Sequence, residues 1–344
     1  MTNKSSADIR LAEKRDLKKI MLFIKNEWSH DHILANNQLF FEYQYCSDNN
    51  VNFVIALEGK RIMGVLGFIK SSDNEDSDIW LALWKVIKSK SSPFFLGIQM
   101  LNFLLERKFN NVLCLGINES TIPIYKFLNF YLGSLNQFYI PNKKVKEYKI
   151  AQYNFNDQII KRVPKRDMRY KLKEVTSSFL KKNFQFDQYK KRVPFKDWAY
   201  IDNRYFRHPI YRYNVYGIFF KEDIIALIVT RRVYSNASSA LRIIDFYGEE
   251  SSLPFIIESL QDKMHESKDE YLDIMCFGIP ENILFKSGFN KLKRKSSETI
   301  IPNYFEPFEQ KNITIDFFVS SQEMGNVRIY KGDGDQDRPN KSYE

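Results

Sequence analysis

The chain has 344 residues, of which 44% are hydrophobic and 15% aromatic, and its formal net charge is +10. This apolar content excludes a globally disordered chain, and the length predicts two domains rather than one. The positive charge indicates an anionic partner, for which a nucleic acid, an anionic membrane or a phosphate-bearing nucleotide or cofactor would qualify.

The cysteines and the polar start of the chain predict a reduced, cytoplasmic protein. Cys46, Cys114 and Cys276 are scattered and form no CxxC pair, so neither a zinc site nor a disulfide framework is predicted. The opening residues MTNKSSADIR precede no apolar signal-peptide core. No run reaches the ~18 apolar residues that a membrane span requires. The oligomeric state is left open.

The first elements predicted are a helix and a histidine-containing loop. In LKKIMLFIKNEW, apolar residues recur at helical spacing, and Asp16 just before them is a candidate N-cap. Further along, His30 and His32 flank Asp31. A His-x-His pair can bind a metal, but no third ligand is evident nearby. Hydrogen bonding at a loop or helix end is the favoured interpretation, so no metal is predicted.

Three strands and a second helix come next. NFVIALEGKRIMGVLGFI predicts two strands around a tight turn at Gly59, and the acidic SSDNEDSD predicts a surface loop. DIWLALWKVI is rich in aromatic and branched residues and predicts a third strand. After KSKSSPFFLG, the spacing of apolar residues in IQMLNFLLERKF predicts a helix.

Residues 111–133, NVLCLGINESTIPIYKFLNFYLG, combine an apolar strand, a polar turn and a short helix. Tyr125 follows Asn118 by seven residues, about two helical turns, so both side chains can face one cleft. The alternative is that Tyr125 is a packed aromatic on an ordinary amphipathic helix. SLNQFYI then predicts the final strand of this half.

In this order of elements, and in the Asn118–Tyr125 spacing, residues 1–142 resemble the GNAT (N-acetyltransferase) superfamily. The resemblance implies an α/β fold with a mixed, mostly antiparallel twisted sheet flanked by helices, and acetyl-CoA as acyl donor. It implies that Tyr125 protonates the departing thiolate. It also places His30, Asp31 and His32 on the acceptor side, where they could bind the amine and accept its proton.

The resemblance also implies where the cofactor binds. The pantetheine arm would follow the third strand, and the pyrophosphate would lie at the start of the next helix, where backbone N–H groups favour anions. Glycines normally line that phosphate loop, whereas here the loop reads SSPFFLG. The predicted cofactor contacts are Trp84, Lys85, Val86, Ser91, Ser92, Gly97, Ile98 and Asn118.

Residues 143–200 are strongly basic and predict a linker with entry helices. KRVP occurs twice in this part of the chain, and such a run is typical of a solvated face. The alternative is an anion-binding edge for a nucleotide or polymer. No recognisable nucleic-acid-binding module is present, so nucleic acid is not predicted as a partner.

Residues 201–325 repeat the first half at an offset of 162. CLGI, which begins at Cys114, matches CFGI at Cys276, and Gly64 matches Ala226. The predicted fold class is therefore α/β with two tandem GNAT-like domains. The second phosphate loop, GEESSLP, carries two glutamates that would repel a pyrophosphate. One active cleft, in the first copy, is predicted.

The segment YIDNRYFRHPIYRYNVYG concentrates tyrosines and arginines, which suit phosphate and sugar recognition. Alternatively, its tyrosines alternate along an edge strand and simply pack. His208, Tyr211, Tyr213 and Asp245 are the predicted substrate contacts. Residues 326–344 form a polar tail, predicted either to fold onto the cleft or to be disordered.

The predicted function is acetyl transfer to an amine. The sequence is similar to paired GNAT-like proteins associated with bacterial surface-polysaccharide synthesis, which implies a nucleotide-linked amino sugar or related sugar as acceptor. Two alternatives stay open. One is a non-catalytic nucleotide-sugar-binding protein, and the other is aminoacyl transfer from a charged tRNA.

Overall fold

The computed structural model describes residues 7–47, 50–87, 95–153, 167–293 and 298–341. The helices in these ranges are α1 (Leu17–Glu27), α2 (Ile33–Asn36), α3 (Gln38–Tyr45), α4 (Leu96–Leu105), α5 (Ile122–Phe127), α6 (Ser177–Asn183), α7 (Trp198–Ile201), α8 (Leu253–Glu266) and α9 (Glu281–Lys286). Within the described part of the chain, none of them has the length and apolar character to cross a bilayer.

The strands in the same ranges are β1 (Asp8–Glu13), β2 (Cys46–Ser47), β3 (Asn50–Glu58), β4 (Arg61–Lys70), β5 (Ile79–Val86), β6 (Val112–Leu115), β7 (Tyr131–Ser134), β8 (Asn136–Pro141), β9 (Tyr170–Glu174), β10 (Asn214–Phe220), β11 (Asp223–Ser235), β12 (Ser238–Gly248), β13 (Tyr271–Phe277), β14 (Asn290–Lys291), β15 (Tyr304–Phe305), β16 (Phe308–Glu309), β17 (Asp316–Val319) and β18 (Ile329–Tyr330).

Most strands belong to two mixed sheets of eight. The first has the order β1-β3-β4-β5-β6-β17-β7, with β2 paired to β3. The second has the order β14-β8-β13-β12-β11-β10-β9, with β18 paired to β13. Neighbouring strands are antiparallel except for one parallel pair in each sheet, β5–β6 and β12–β13. Strands β15 and β16 form a separate hairpin.

The duplication predicted from the sequence is confirmed in the sheet geometry. The β3–β4 register shifts after Ala56, and the β10–β11 register shifts after Ile218. These residues are 162 positions apart, the same offset at which the sequences match. Bulges are local features set by backbone conformation, so their coincidence indicates that the two hairpins descend from one unit.

The two halves exchange one strand each. β8 comes from the first half of the chain but pairs with β13 and β14 in the second sheet. β17 comes from the far end of the chain but lies between β6 and β7 in the first sheet. The final strand predicted for the first half therefore belongs to the other sheet, and the sheets do not follow the predicted boundary at residue 142.

Both sheets open into a wedge at their parallel pair. β5 pairs with β6 over Ile79–Leu81, and among the described residues its remaining part, 82–86, has only β4 as a strand partner. β12 pairs with β13 only over Leu241–Ile243 before the strands diverge in the same way. We call these openings the first and second wedge.

Residues 327–341, the C-terminal segment, connect the two wedges. β18 pairs with β13 at the second wedge, and the N–H of Gly332 donates to the carbonyl of Ile244 on β12 at 2.9 Å. At the first wedge, the side-chain amide of Gln336 donates to the Leu115 carbonyl at 3.1 Å. The tail thus folds onto both clefts.

The matching glycines of CLGI and CFGI explain how the C-terminal segment approaches so closely. Gly116 and Gly278 both have positive φ, +82° and +98°. A Cβ on Gly116 would collide with the Gln336 side chain, and one on Gly278 would collide with the Val327 carbonyl. The positive φ favours glycine at both positions, and at Gly278 the backbone of Val327 also leaves no room for a side chain.

Several local predictions need correction. Asp16 does not cap α1 with its side chain; its carboxylate instead accepts two hydrogen bonds from Arg10, at 2.7 and 3.0 Å. The acidic loop at 71–78, predicted to lie on the surface, is buried at both ends. Asp78, 4% exposed, accepts hydrogen bonds from the Asn111 side chain and the Phe195 N–H.

The basic region also departs from a solvated linker. Residues 170–200 include β9, which is the edge strand of the second sheet, and α6 and α7, which pack on that sheet. Because β9 covers β10, the tyrosine-rich segment does not supply the sheet edge. The first KRVP copy lies outside the described residues. In the second copy, Arg192 pairs with Glu250 at 3.4 Å.

Candidate active site

The first wedge places several of the predicted cofactor contacts side by side. Trp84, Lys85 and Val86 lie on the part of β5 that has diverged from β6 and are half-buried. α4 begins beside them, and a Cβ on Gly97 would lie 3.2 Å from the Trp84 ring. Ile98 is also half-buried on this first turn. Ser91 and Ser92 lie outside the described residues.

Thr121 interacts with both Asn118 and Tyr125. Its hydroxyl donates to the Asn118 carbonyl at 2.7 Å, and the same side chain acts to lower the pKa of the Tyr125 phenol. The Asn118 side chain caps its own turn by accepting from the Ser120 N–H at 2.9 Å.

Tyr125 is a buried, neutral phenol. It is 2% exposed, and its ring lies 4.1 Å from the ring of Phe318 on the exchanged strand β17. Burial, with a smaller contribution from Cys114 on β6, raises the pKa of Tyr125 well above its usual range. The group can therefore supply a proton but does not titrate near neutral pH. The position of Tyr125 is therefore compatible with both predicted roles, a packed aromatic and a proton donor.

The histidine loop is divided between the surface and the interior. His30 and Asp31 pair with each other at 2.9 Å, and both side chains are about three-quarters exposed, at 75% and 77%. His32 instead caps α2 through its Nδ1, which accepts the Leu34 N–H at 3.2 Å. Burial, and then the charge of Arg338, lowers the pKa of His32 to about 4. A neutral His32 with Nδ1 accepting carries its proton on Nε2.

A carboxylate that was not among the residues predicted for the acyl-transfer site lies beside the first wedge. Asp335 is half-buried between two residues that contact the wedge. One is Gln336, bonded to Leu115, and the other is Gly334, on which a Cβ would lie 3.4 Å from the Trp80 ring. The negative charge of Asp335 acts to raise the pKa of both Cys114 and His32. The sequence feature that drew attention to this residue was the regular spacing of aspartates in the tail.

The second wedge is occupied by the protein itself. Besides β18, it holds Arg328, whose guanidinium lies 2.5 Å from Glu250 in the predicted phosphate-loop equivalent. Arg192 pairs with the same carboxylate. Internal partners therefore fill the second wedge, where a cofactor would have to displace a paired strand.

The tyrosine-rich segment forms one wall of a pocket of about 720 Å³, the outer pocket. Tyr211 and Arg231 face Phe305 and Glu306 of the β15–β16 hairpin across it. The Arg231 guanidinium lies 3.9 Å from the centre of the Tyr211 ring, and it makes a two-pronged pair with Asp337, with its shortest N–O distance at 2.7 Å. Lys341 of the C-terminal segment lines the rim.

The other predicted substrate contacts pack behind this wall. The Nδ1 of His208 accepts the Tyr211 N–H at 2.8 Å, and its ring stacks on the Tyr211 ring at 5.2 Å. The Tyr213 hydroxyl donates to Asp337 at 2.9 Å. Burial, and then the Arg204 charge, lowers the pKa of His208 to about 3. His208 and Tyr213 therefore hold the pocket wall that contains Tyr211 in position.

Asp245 lies in a buried ion-pair cluster away from the pocket lining. It is 1% exposed, and its carboxylate accepts from Lys196 at 2.7 Å and from the Tyr205 hydroxyl at 2.7 Å. Lys196 also pairs with Asp333 at 2.7 Å. The cluster fixes the C-terminal segment to the second sheet. Within the described ranges, no three His, Cys, Asp or Glu side chains are grouped so that they could hold a metal ion.

Comparison with solved structures establishes the fold. A GCN5-related N-acetyltransferase from Anabaena variabilis aligns over 91% of this chain and 72% of its own, with 11% identity and a TM-score of 0.56. An Enterococcus faecalis protein of unknown function, described as a probable N-acyltransferase, aligns over 92% and 72%, with 10% identity and a TM-score of 0.53. No protein-family model and no curated protein sequence matches the chain.

Proposed function

We propose that this chain, with the two tandem GNAT-like domains predicted from its sequence, is an acyltransferase. It moves an acetyl group from acetyl-CoA to an amine and binds the cofactor in the first wedge. The observation that carries this proposal is the difference between the two wedges. Residues 82–86 of β5 have no strand partner on the wedge side among the described residues, whereas the C-terminal segment pairs into the second wedge. A strand edge beside a helix start suits an amide-containing arm that ends in phosphates.

Two groups at the first wedge would carry the proton transfers. The attacking amine forms the new C–N bond and loses a proton, while the C–S bond breaks and the thiolate gains one. We assign the second proton to Tyr125, whose buried O–H would turn toward the sulfur. We assign the first to Asp335, directly or through water, since His32 donates at Nε2 and His30 and Asp31 lie on the exposed surface. The role first predicted for the histidine loop remains a competing assignment.

We further propose that the amine belongs to a nucleotide-linked sugar, of the kind used in surface-polysaccharide synthesis, held in the outer pocket. A volume of about 720 Å³ is within the range of small-molecule sites. Arginine and tyrosine on its wall suit phosphate and ring recognition. Gln336 bonds to Leu115 at the first wedge and is followed in the chain by Asp337, the partner of Arg231 in the pocket wall.

The proposal is tested first by binding and then by turnover. Acetyl-CoA should raise the melting temperature, because a ligand that binds only the folded state stabilises it by about 2.7 kcal/mol at a hundred times its Kd. No shift at millimolar acetyl-CoA would refute the acyltransferase function.

Turnover is followed as free thiol released with UDP-linked amino sugars. Tyr125→Phe should bind acetyl-CoA normally and lose about 10²- to 10⁴-fold in kcat. Tyr131→Phe is the matched control, because Tyr131 is 39% exposed on β7. Normal turnover in Tyr125→Phe would remove Tyr125 from the mechanism.

A further inference from the structure

A second, smaller cavity of about 20 Å³ adjoins the outer pocket; we call it the inner cavity. The two share Tyr211, Arg231, Phe305 and Glu306 as lining residues. A cavity of this size admits one small polar group of a ligand. The inner cavity can therefore take the tip of a ligand whose larger part lies in the outer pocket.

The inner cavity is lined by two cationic groups that make no ion pair with a carboxylate of the described residues. Lys331 is 3% exposed, and none of the described residues gives its ammonium a hydrogen bond or ion pair; it lies 6.0 Å from the centre of the Tyr304 ring. Arg338 is 8% exposed and donates from one nitrogen to the Tyr45 hydroxyl at 3.2 Å. Its other terminal nitrogen, Nη2, is buried without a hydrogen-bond partner in the described structure.

The remaining cations at this cavity already have partners. Arg231 is paired with Asp337, and Arg242 is paired with Asp273 at 2.9 Å. A buried, unpaired charge is costly, so it is retained only where something else compensates for it. Lys331 and Arg338 converge on one small space, where a single anionic group would satisfy both.

Two hydrogen-bond acceptors border the same space. The Asn303 Oδ1 and the Glu306 Oε2 are buried and lack hydrogen-bond partners among the described residues. Unsatisfied buried acceptors beside unsatisfied donors call for a ligand that presents an anion and, next to it, a donor such as a hydroxyl or an amine. A plain inorganic anion would bind the two cationic groups but would leave Asn303 and Glu306 without a hydrogen-bond donor.

We propose that the inner cavity is an anion-recognition site, in which Lys331 and Arg338 bind a carboxylate or phosphate group of a hydroxylated ligand while Asn303 and Glu306 accept from its neighbouring donors. The identification of that ligand as the acceptor rests on the proposed function; the anion site itself does not. Its position supports the link, because Gln336 lines the inner cavity and also bonds to Leu115 at the first wedge.

The test is a calorimetric titration of the full chain at pH 6.5, without acetyl-CoA. The probes are D-glucuronate, glucose 1-phosphate and glucose, which share hydroxyl groups and differ in carrying a carboxylate, a phosphate or no charge. We expect at least one anionic sugar to bind and glucose to bind at least tenfold more weakly. Whichever anionic probe binds more tightly identifies the anionic group.

Lys331→Met should weaken the anionic sugar at least tenfold, because a charge-assisted contact is lost. Lys286→Met is the matched control, since Lys286 is exposed on α9 and carries the same charge. Equal binding of glucose, absence of binding by both anionic sugars at 10 mM, or unchanged affinity in Lys331→Met would overturn the site. Anion binding without any acetyl-CoA binding would uphold the site and refute the proposed function instead.

Discussion

Replacing Lys331 by methionine should stabilise the ligand-free protein. Burial, and then the charge of Arg242, lowers the pKa of Lys331 from 10.5 to about 7. One pKa unit corresponds to about 1.4 kcal/mol, so holding this side chain charged at pH 7 or below costs about 5 kcal/mol as an upper figure. Methionine is similar in length and apolar, and it removes that cost while filling the same space.

The sign of the pH dependence follows from the same shift. Between about pH 7 and pH 10.5 the unfolded chain keeps the Lys331 proton and the folded chain has lost it. The unfolded state therefore binds more protons, and the free energy of unfolding rises with pH across this window. The charged groups facing Lys331 are Arg242, Asp337, Asp273 and Arg231, and guanidinium and carboxylate groups keep their charge there.

Urea unfolding of the wild type and of Lys331→Met at pH 7, 8 and 9 measures this difference. We expect the variant to be more stable by several kcal/mol at pH 7, with the gap closing as pH rises. Lys286→Met should follow the wild type at each pH. Equal stability at pH 7, or a gap that does not change with pH, would show that Lys331 has a partner in solution and would refute the reasoning.

Two further pairs of substitutions test the first wedge. Asp335→Asn should reduce kcat by about 10²-fold or more and leave the affinity for acetyl-CoA unchanged. Asp31→Asn should leave kcat unchanged. The opposite result would return the proton-accepting role to the histidine loop. Phe318→Leu and Phe317→Leu should each cost about 1–3 kcal/mol in unfolding free energy, because both rings are fully buried on β17. Only Phe318 contacts Tyr125, so only its variant should also lower kcat; equal loss in both would indicate a general packing effect.

The parts of the fold that were predictable from the sequence are those set by short-range patterns. The β3–β4 hairpin follows from two apolar runs around Gly59, which has a φ of +60° in the turn. The offset of 162 predicted a duplication, and the register shifts after Ala56 and Ile218 are separated by the same 162 residues. In each case, residues that are neighbours in the chain determine the conformation.

Strand exchange could not be predicted in the same way. β8 and β17 are both short and largely apolar, so their residue pattern alone does not indicate which sheet each of them joins. Their choice of sheet depends on contacts between residues far apart, such as the hydroxyl of Ser134 with Asp316 at 2.6 Å. A single sequence does not indicate which of two similar sheets a strand joins.

The candidate site was predicted in part for a related reason. Tyr125, Trp84 and Tyr211 belong to regular elements or dense aromatic segments and could be located. Asp335 and Lys331 lie in a polar tail whose composition is also typical of disorder, and their surroundings come from other parts of the chain. Burial of Lys331 to 3% exposure is a property of the assembled structure alone.

The exchange and the C-terminal segment together make the site a property of the whole chain. A cut near residue 142 would separate β17 from the first sheet, and with it Phe318, the ring that packs on Tyr125. The same cut would remove Asp335 from the first wedge and leave β13 without β8. Each half would then expose an unpaired strand edge and a part of the shared core that includes Trp80 and Phe317. The second half of the chain therefore supplies groups that complete the first wedge, so the two halves depend on each other for the site and for the shared core.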